Sequence, residues 1–317
     1  MSWISPVAPA QVITSAEVLP PAPATKRGWR RRNLWAYGYM TPVLAALALV
    51  FGYSFVEVVH YSFYAGSLGQ LTYVGTSNYH ELFVDPQFIT SLFNNIKLLL
   101  TVPIVTVLSL SIALMINTTF RGVRQYRMIV FLPYILPATA MGLSFSYLLE
   151  GNGVLDALLK NLDLSFLIKD WLGSPSWVMF SIGSVIVWQQ FGFGVVVFSA
   201  ALLAVPGETI EAARIDGANW WIVQWRILIP QIRRIIEFFV ILEAIIVISS
   251  VFTYVYLLTG GGPAYSSSVM EFFIFQNGFE NGSIGIASAA AVVLLAIASV
   301  LIAIYIWVRA RAAKEAG

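Results

Sequence analysis

Two groups of residues hold most of the chemistry this sequence can offer. Glu243 stands alone in one apolar run and Trp188, Gln189 and Gln190 adjoin in another, while the stretch EAARIDGANWWIVQWRILIP at 211–230 sets Glu211, Asp216, Gly217 and two arginines between greasy segments. Neither group makes a reaction centre. The chain has no GxxxxGK[ST] phosphate cradle, no GxSxG elbow and no cysteine, and no acid, base and nucleophile are grouped within reach of one another. His60 and His80 lie far apart without metal-ligand spacing. What the residues can do is bind. An indole face with amide and carboxylate partners suits a hydroxyl-bearing solute, and a short charged segment between apolar runs suits contact with another protein.

The elements that must position these residues are membrane helices. Only 11% of the chain is charged against 58% hydrophobic, where a soluble domain carries about a quarter charged residues. The charge-poor runs supply six spans near 35–58, 96–119, 128–149, 177–204, 235–258 and 286–308, each offering the roughly 20 apolar residues a bilayer helix needs. The reading is an all-α integral membrane bundle, with residues 34–308 as the transmembrane domain. Residues 1–33, rich in proline at the start, read as a flexible cytoplasmic tail, and 309–317 as a short cytoplasmic one. Arg30, Arg31 and Arg32 precede the first span. Arg121, Arg124 and Arg127, then Arg214, Arg226, Arg233 and Arg234, and finally Arg309 and Arg311 all fall on that same side of six spans. The positive-inside bias therefore places both termini and the 207–230 loop in the cytoplasm. Loops near 59–95, 150–176 and 259–285 are external on this topology. The basic residues are absorbed by topology, so nucleic acid is not an expected partner, whereas membrane lipid is.

Local signals divide the 207–230 loop. Pro206 and Gly207 stop the preceding span, Glu208 and Glu211 suit the first turn of a helix near 208–216, and Asp216 and Gly217 supply a turn. Ala212 and Ala213 give the short helix a smooth side onto which a groove can close. Trp220, Trp221 and Trp225 suit the membrane interface, so the segment running to Pro230 is expected to lie along the inner leaflet before entering the fifth span.

The spacing from Glu211, Ala212 and Ala213 through Asp216, Gly217 and Ala218 to Trp221, Ile227 and Pro230 resembles the EAA loop of ABC transporter permease subunits, specifically the binding-protein-dependent, maltose-type carbohydrate importers. FRGVRQYRMIVFLPYILPATAMG at 120–142 and LTGGGPAY at 258–265 resemble the same family. Gln224 stands where that family usually carries an aromatic, and Arg233 near where a second proline is common. The resemblance implies a six-helix permease bundle with a cytoplasmic coupling helix formed by Glu211, Ala212, Ala213, Asp216, Gly217 and Ala218. It also implies a second permease subunit, two ATP-binding subunits that carry ATP and Mg, and an extracytoplasmic solute-binding protein or lipoprotein. The chain is then a bacterial inner-membrane transport subunit, not an enzyme, and it holds no cofactor of its own. The resemblance implies a sugar as solute, first a di- or oligosaccharide, with glycerol-phosphate-type and other polyol solutes as the alternatives.

A carboxylate at mid-span costs about 2.5–3.5 kcal/mol on insertion scales, so Glu243 is expected to face the bundle interior or a wet cavity. At helical spacing it shares a face with Val247, Ser250 and Tyr254, and Gln190 and Trp188 lie at similar depth on the fourth span, where Gly192 and Gly194 admit close neighbours. In the family that this sequence resembles, these two spans line the sugar path. The rival reading is a self-sufficient ion-coupled carrier with Glu243 as its proton site. No inverted repeat supports it.

Overall fold

The computed structural model describes residues 39–67, 69–117 and 123–315. The 1–33 tail, with Arg30, Arg31 and Arg32 of the first flank, lies outside the described residues. The chain divides after Ser54 into two units. In the first, residues 39–54 are helical with a π-helical turn at Ala48–Gly52, and their side chains are exposed.

The helix Tyr39–Tyr61 (α1) is followed by a two-residue hairpin, Tyr64–Ala65 (β1) against Thr72–Tyr73 (β2), antiparallel with Tyr64 opposite Tyr73. Then come Ser77–Val84 (α2), Pro86–Leu98 (α3), Thr101–Ile116 (α4), Val123–Ile135 (α5), Ala138–Leu149 (α6), Val154–Asn161 (α7) and Val178–Leu203 (α8). Gly207–Ile215 (α9), the long helix Trp220–Ser249 (α10), Phe252–Leu258 (α11), Met270–Phe275 (α12) and Ile284–Glu315 (α13) complete the order. Among the described residues four helices are long and apolar enough to cross a membrane: α1, α3 with α4, α8 and α13. The pairs α5–α6 and α10–α11 raise the number to six if each counts as one span.

Several boundaries differ from expectation. The second span begins at Pro86, well before residue 96, because Asp85 caps its first turn with hydrogen bonds from the Gln87 and Phe88 N–H groups (2.7 and 3.3 Å). Its polar residues Ser91, Asn94 and Asn95 are buried, so the helix outruns the apolar stretch. The third span is two helices bent by 89° at Leu136–Pro137. Pro137 cannot continue the ladder, and its ring disfavours helical backbone at Leu136. The fifth is bent by 47° at Ser250–Val251. Pro230 does not end the Trp-rich segment. It sits in the first turn of the α-helical stretch Ile229–Ser249, directly after a π-helical segment at Val223–Leu228, so the chain runs from Trp220 to Ser249 as one helix. The 59–95 loop is not irregular; it holds the hairpin, α2 and the start of α3.

Lipid tails are as apolar as leucine, so helix contact in a membrane depends on close packing. α8 is the hub, uniformly apolar around its circumference and buried on many sides. At Gly192 a Cβ would stand 2.3 Å from the Val130 carbonyl oxygen, and at Gly194 2.4 Å from Ser109 Oγ and 2.8 Å from Phe239 Cζ. These two glycines let α5, α4 and α10 meet α8. One apolar cluster gathers Val102, Ile182, Val185, Val247 and Val255; another, nearer α9, gathers Val105, Phe198, Leu202, Leu228 and Phe239.

Candidate functional site

α9 begins directly after Pro206 and carries Glu208 in its first turn and Arg214 in its last, both signs favourable to the helix dipole. Its far end closes on Gly217, whose φ of +84° admits a left-handed residue, while the Ala218 N–H reaches back to the Ala213 carbonyl at 2.9 Å. Asn219 then caps the long helix by accepting the Ile222 N–H at 2.9 Å. The α9 stub is fixed at both ends by local bonds. Only one side of it meets the bundle, with Ile210 and Ala218 packed against the cluster that holds Val223 and Leu228.

The other side is bare. Glu211, Ala212, Asp216 and Gly217 are exposed, and Ala213 is half-buried. Ile215 projects from the same stub with 86% of its surface exposed, and sequence reasoning missed it. The signal was available: a large apolar residue in the last turn of a helix whose inward positions are already filled. Trp221 and Trp225 are also exposed, on the first turns of α10. Farther along that helix, exposed Arg233 and Glu237 pair at 2.6 Å, as i and i+4 partners do.

Some 23 residues beyond Trp220 on the same helix, about 35 Å at 1.5 Å per residue, lies Glu243. It is fully buried, and neither carboxylate oxygen has a hydrogen-bond partner. A buried carboxyl without a partner is costly, so such a group marks a place where a partner arrives or a proton stays. Close by in the fold, Gln189 joins two breaks. Its Nε2 donates to the Leu136 carbonyl at 2.8 Å, the group that the α5–α6 bend withdraws from the helical ladder, and its Oε1 accepts from the Tyr254 hydroxyl of α11. Tyr254 lies within electrostatic reach of Glu243.

The expected path residues are thus only partly brought together. Gln190 is buried beside Gln189 on α8. Val247 is fully buried in an apolar cluster with Val185 and Tyr254. Ser250 leaves the Glu243 face, because the helix ends at Ser249 and the serine is exposed at the break. Trp188 turns to another side of α8, where it is half-exposed, tilts against Phe145 and lines a groove of about 580 Å³ with Lys97, Thr101, Leu108, Gly183 and Phe191. Gln189, with its two side-chain bonds, is the residue that the spacing argument placed but did not select.

Residues 96–314 match the family model described as binding-protein-dependent transport system inner membrane component. The chain is 33% identical over 307 residues to the diacetylchitobiose uptake system permease protein NgcF of Streptomyces coelicolor, covering 90% of this chain and 86% of that one. It is 33% identical over 289 residues to the alpha-glucoside transport system permease protein AglF of Rhizobium meliloti, covering 88% and 82%. In fold it is similar to a chain in the crystal structure of a bacterial ABC transporter involved in the import of the acidic polysaccharide alginate, with a TM-score of 0.79 at 22% identity over 90% of this chain and 99% of that chain.

Proposed function

Because this multi-pass inner-membrane chain belongs to the family of binding-protein-dependent transport system inner membrane components, we propose that it forms half of the path by which an ATP-driven importer admits a di- or oligosaccharide. The chain is a permease subunit and not an enzyme, and hydrolysis belongs to partner subunits. On the proposed topology both termini and α9 face the cytoplasm. There α9, through Glu211, Ala212, Ala213, Ile215, Asp216, Gly217 and Ala218, is the surface that an ATP- and Mg-carrying subunit grips.

The observation that carries this reading is the bare stub on a long lever. α9 is tied to the start of a helix that runs without interruption from Trp220 to Ser249. Displacing its exposed side moves the segment that carries Glu243. ATP binding by the partners and solute delivery on the other side favour different states, which is the condition for either to shift the population. The orphan carboxyl of Glu243, together with Gln190 and the Gln189–Tyr254 pair, is the candidate contact for sugar hydroxyls. Relatives named for diacetylchitobiose and alpha-glucoside transport support the solute class.

The test is uptake by the complete importer in proteoliposomes with radiolabelled oligosaccharide. Glu243→Gln is expected to lower uptake at normal assembly, and Gln190→Ala to do the same. Full uptake by both variants would remove them from the path. Uptake by this chain alone under a pH gradient would contradict the importer reading.

A further inference from the structure

At the end of the molecule opposite α9, a second polar cluster has no part in the reading above. The segment 259–269 is braced internally: Thr259 Oγ1 and Ser267 Oγ lie 2.7 Å apart, the Ser266 N–H reaches the Pro263 carbonyl at 2.9 Å, and the Ser268 N–H reaches that of Tyr265 at 3.0 Å. Ala264 and Tyr265, both at positive φ, form its exposed tip. The rest is stapled to α3. Asn94 Nδ2 donates to the Ser266 and Ser268 carbonyls, each at 2.9 Å, and Ser91 Oγ donates to Ser268 Oγ at 2.8 Å. Next to this staple, Asn95 Oδ1 accepts the Met270 N–H at 2.8 Å, which fixes the first turn of α12.

Glu271 follows Met270 and reaches back across the fold. Its Oε2 accepts from Asn95 Nδ2 at 3.3 Å, and its Oε1 accepts from the Val251 N–H at 3.4 Å. That N–H belongs to the break between α10 and α11, where the regular ladder is interrupted. A carboxylate 20 residues downstream therefore caps the bend, and the same carboxylate is held by the helix that carries the staple. The break lies about two turns beyond Glu243 on its own helix.

Resting on the importer reading, we propose that Asn95 and Glu271 form a latch that passes contact on the 259–269 segment to the bend in the fifth span. Glu271 is a positioning residue: it sets the angle between α10 and α11 and so the place of Glu243, without touching solute. The partner on the tip is the solute-delivering protein. A displacement of Tyr265 moves a braced body, and that body holds the acceptor of the Val251 N–H.

ATP hydrolysis by the complete importer in proteoliposomes, with and without solute-loaded binding protein, tests the latch. Glu271→Ala is expected to cut the increment caused by the binding protein about tenfold, within the range of a coupling between two sites, while hydrolysis without binding protein stays unchanged. Glu271→Gln keeps an acceptor for the Val251 N–H and is expected to restore most of the increment. Stimulation of Glu271→Ala equal to that of the unaltered importer overturns the latch, and so does a Glu271→Gln variant as impaired as Glu271→Ala. A second construction works even where Glu271→Ala fails to assemble. The chain is free of cysteine, so Ser91→Cys with Ser268→Cys can be oxidised selectively. Transport retained after oxidation supports a segment and α3 that move together; transport lost on oxidation overturns it. Failure of the importer reading shows itself differently, as an unaltered chain that recruits no ATPase, and that result overturns both.

Discussion

Ile215 offers the sharpest perturbation of the proposed ATPase contact. Its side chain is 86% exposed on α9, so Ile215→Ala removes almost nothing from the packing of this chain, and an exposed substitution of that kind shifts stability by less than about 0.5 kcal/mol. If the partner's cleft covers it, truncation deletes three carbons of buried surface. At about 0.8 kcal/mol per methylene the loss is about 2.4 kcal/mol, roughly a 60-fold weaker contact. Titrating purified ATPase subunit onto the permease pair in detergent, with unaltered and Ile215→Ala chains, reads this directly. Ile210→Ala is the counterpart: Ile210 packs against the cluster that includes Val223 and Leu228, so its truncation is expected to lower the melting temperature of the subunit itself. Affinities within about twofold for the Ile215 variant, at an unchanged melting temperature, would refute the assignment of the exposed side of α9 as the gripped surface.

Three further outcomes follow from other contacts. Gly192→Ala sets a Cβ against the Val130 backbone carbonyl at 2.3 Å, where only backbone movement relieves the clash, and is expected to cost about 1–3 kcal/mol in thermal unfolding of the assembled complex. Gln189→Leu leaves the Leu136 carbonyl and the Tyr254 hydroxyl without their partner, at about 1–3 kcal/mol for each buried group; adding Tyr254→Phe is expected to return part of that loss in the same melt. Burial pushes the Glu271 carboxyl up from 4.5 to about 7, against the hydrogen bonds that lower it. The folded chain therefore keeps this proton to higher pH than the unfolded one, and the contribution present at low pH is lost as pH rises toward and through about 7. Melting curves across that window are expected to fall more steeply for the unaltered complex than for Glu271→Gln.

How far the sequence discloses this arrangement depends on whether a feature is local. α9 was legible because its stop signals, Pro206 with Gly207 and Asp216 with Gly217, are adjacent to it, and the helix found at Gly207–Ile215 nearly coincides with the expected 208–216. Glu243 was legible because one carboxylate in an apolar run has few places to go. The bend at Ser250 was not, since VISSVF contains neither proline nor glycine; the group that caps the bend, Glu271, arrives from beyond a turn-rich segment and is itself held by Asn95 from the second span. Periodicity read through that bend therefore put Ser250 on the Glu243 face. Gln189 was passed over for the same reason, because its value lies in a carbonyl that a bend 53 residues earlier sets free. Pro230 misled in the opposite direction. Pro230 stands at the start of the α-helical stretch Ile229–Ser249, and the π-helical segment Val223–Leu228 before it changes the bonding pattern there, so the chain stays helical through the proline.

The central claim is that a cytoplasmic ATPase grips α9. A single cysteine introduced by Ala212→Cys in this otherwise cysteine-free chain, treated with a short thiol-to-amine crosslinker in intact membranes, tests it most directly. The account predicts a crosslinked product that contains a subunit with an ATP-binding motif, with a yield that changes when ATP is trapped. A cysteine at residue 212 that stays freely reactive and never joins such a subunit, in membranes that transport the solute, would contradict it.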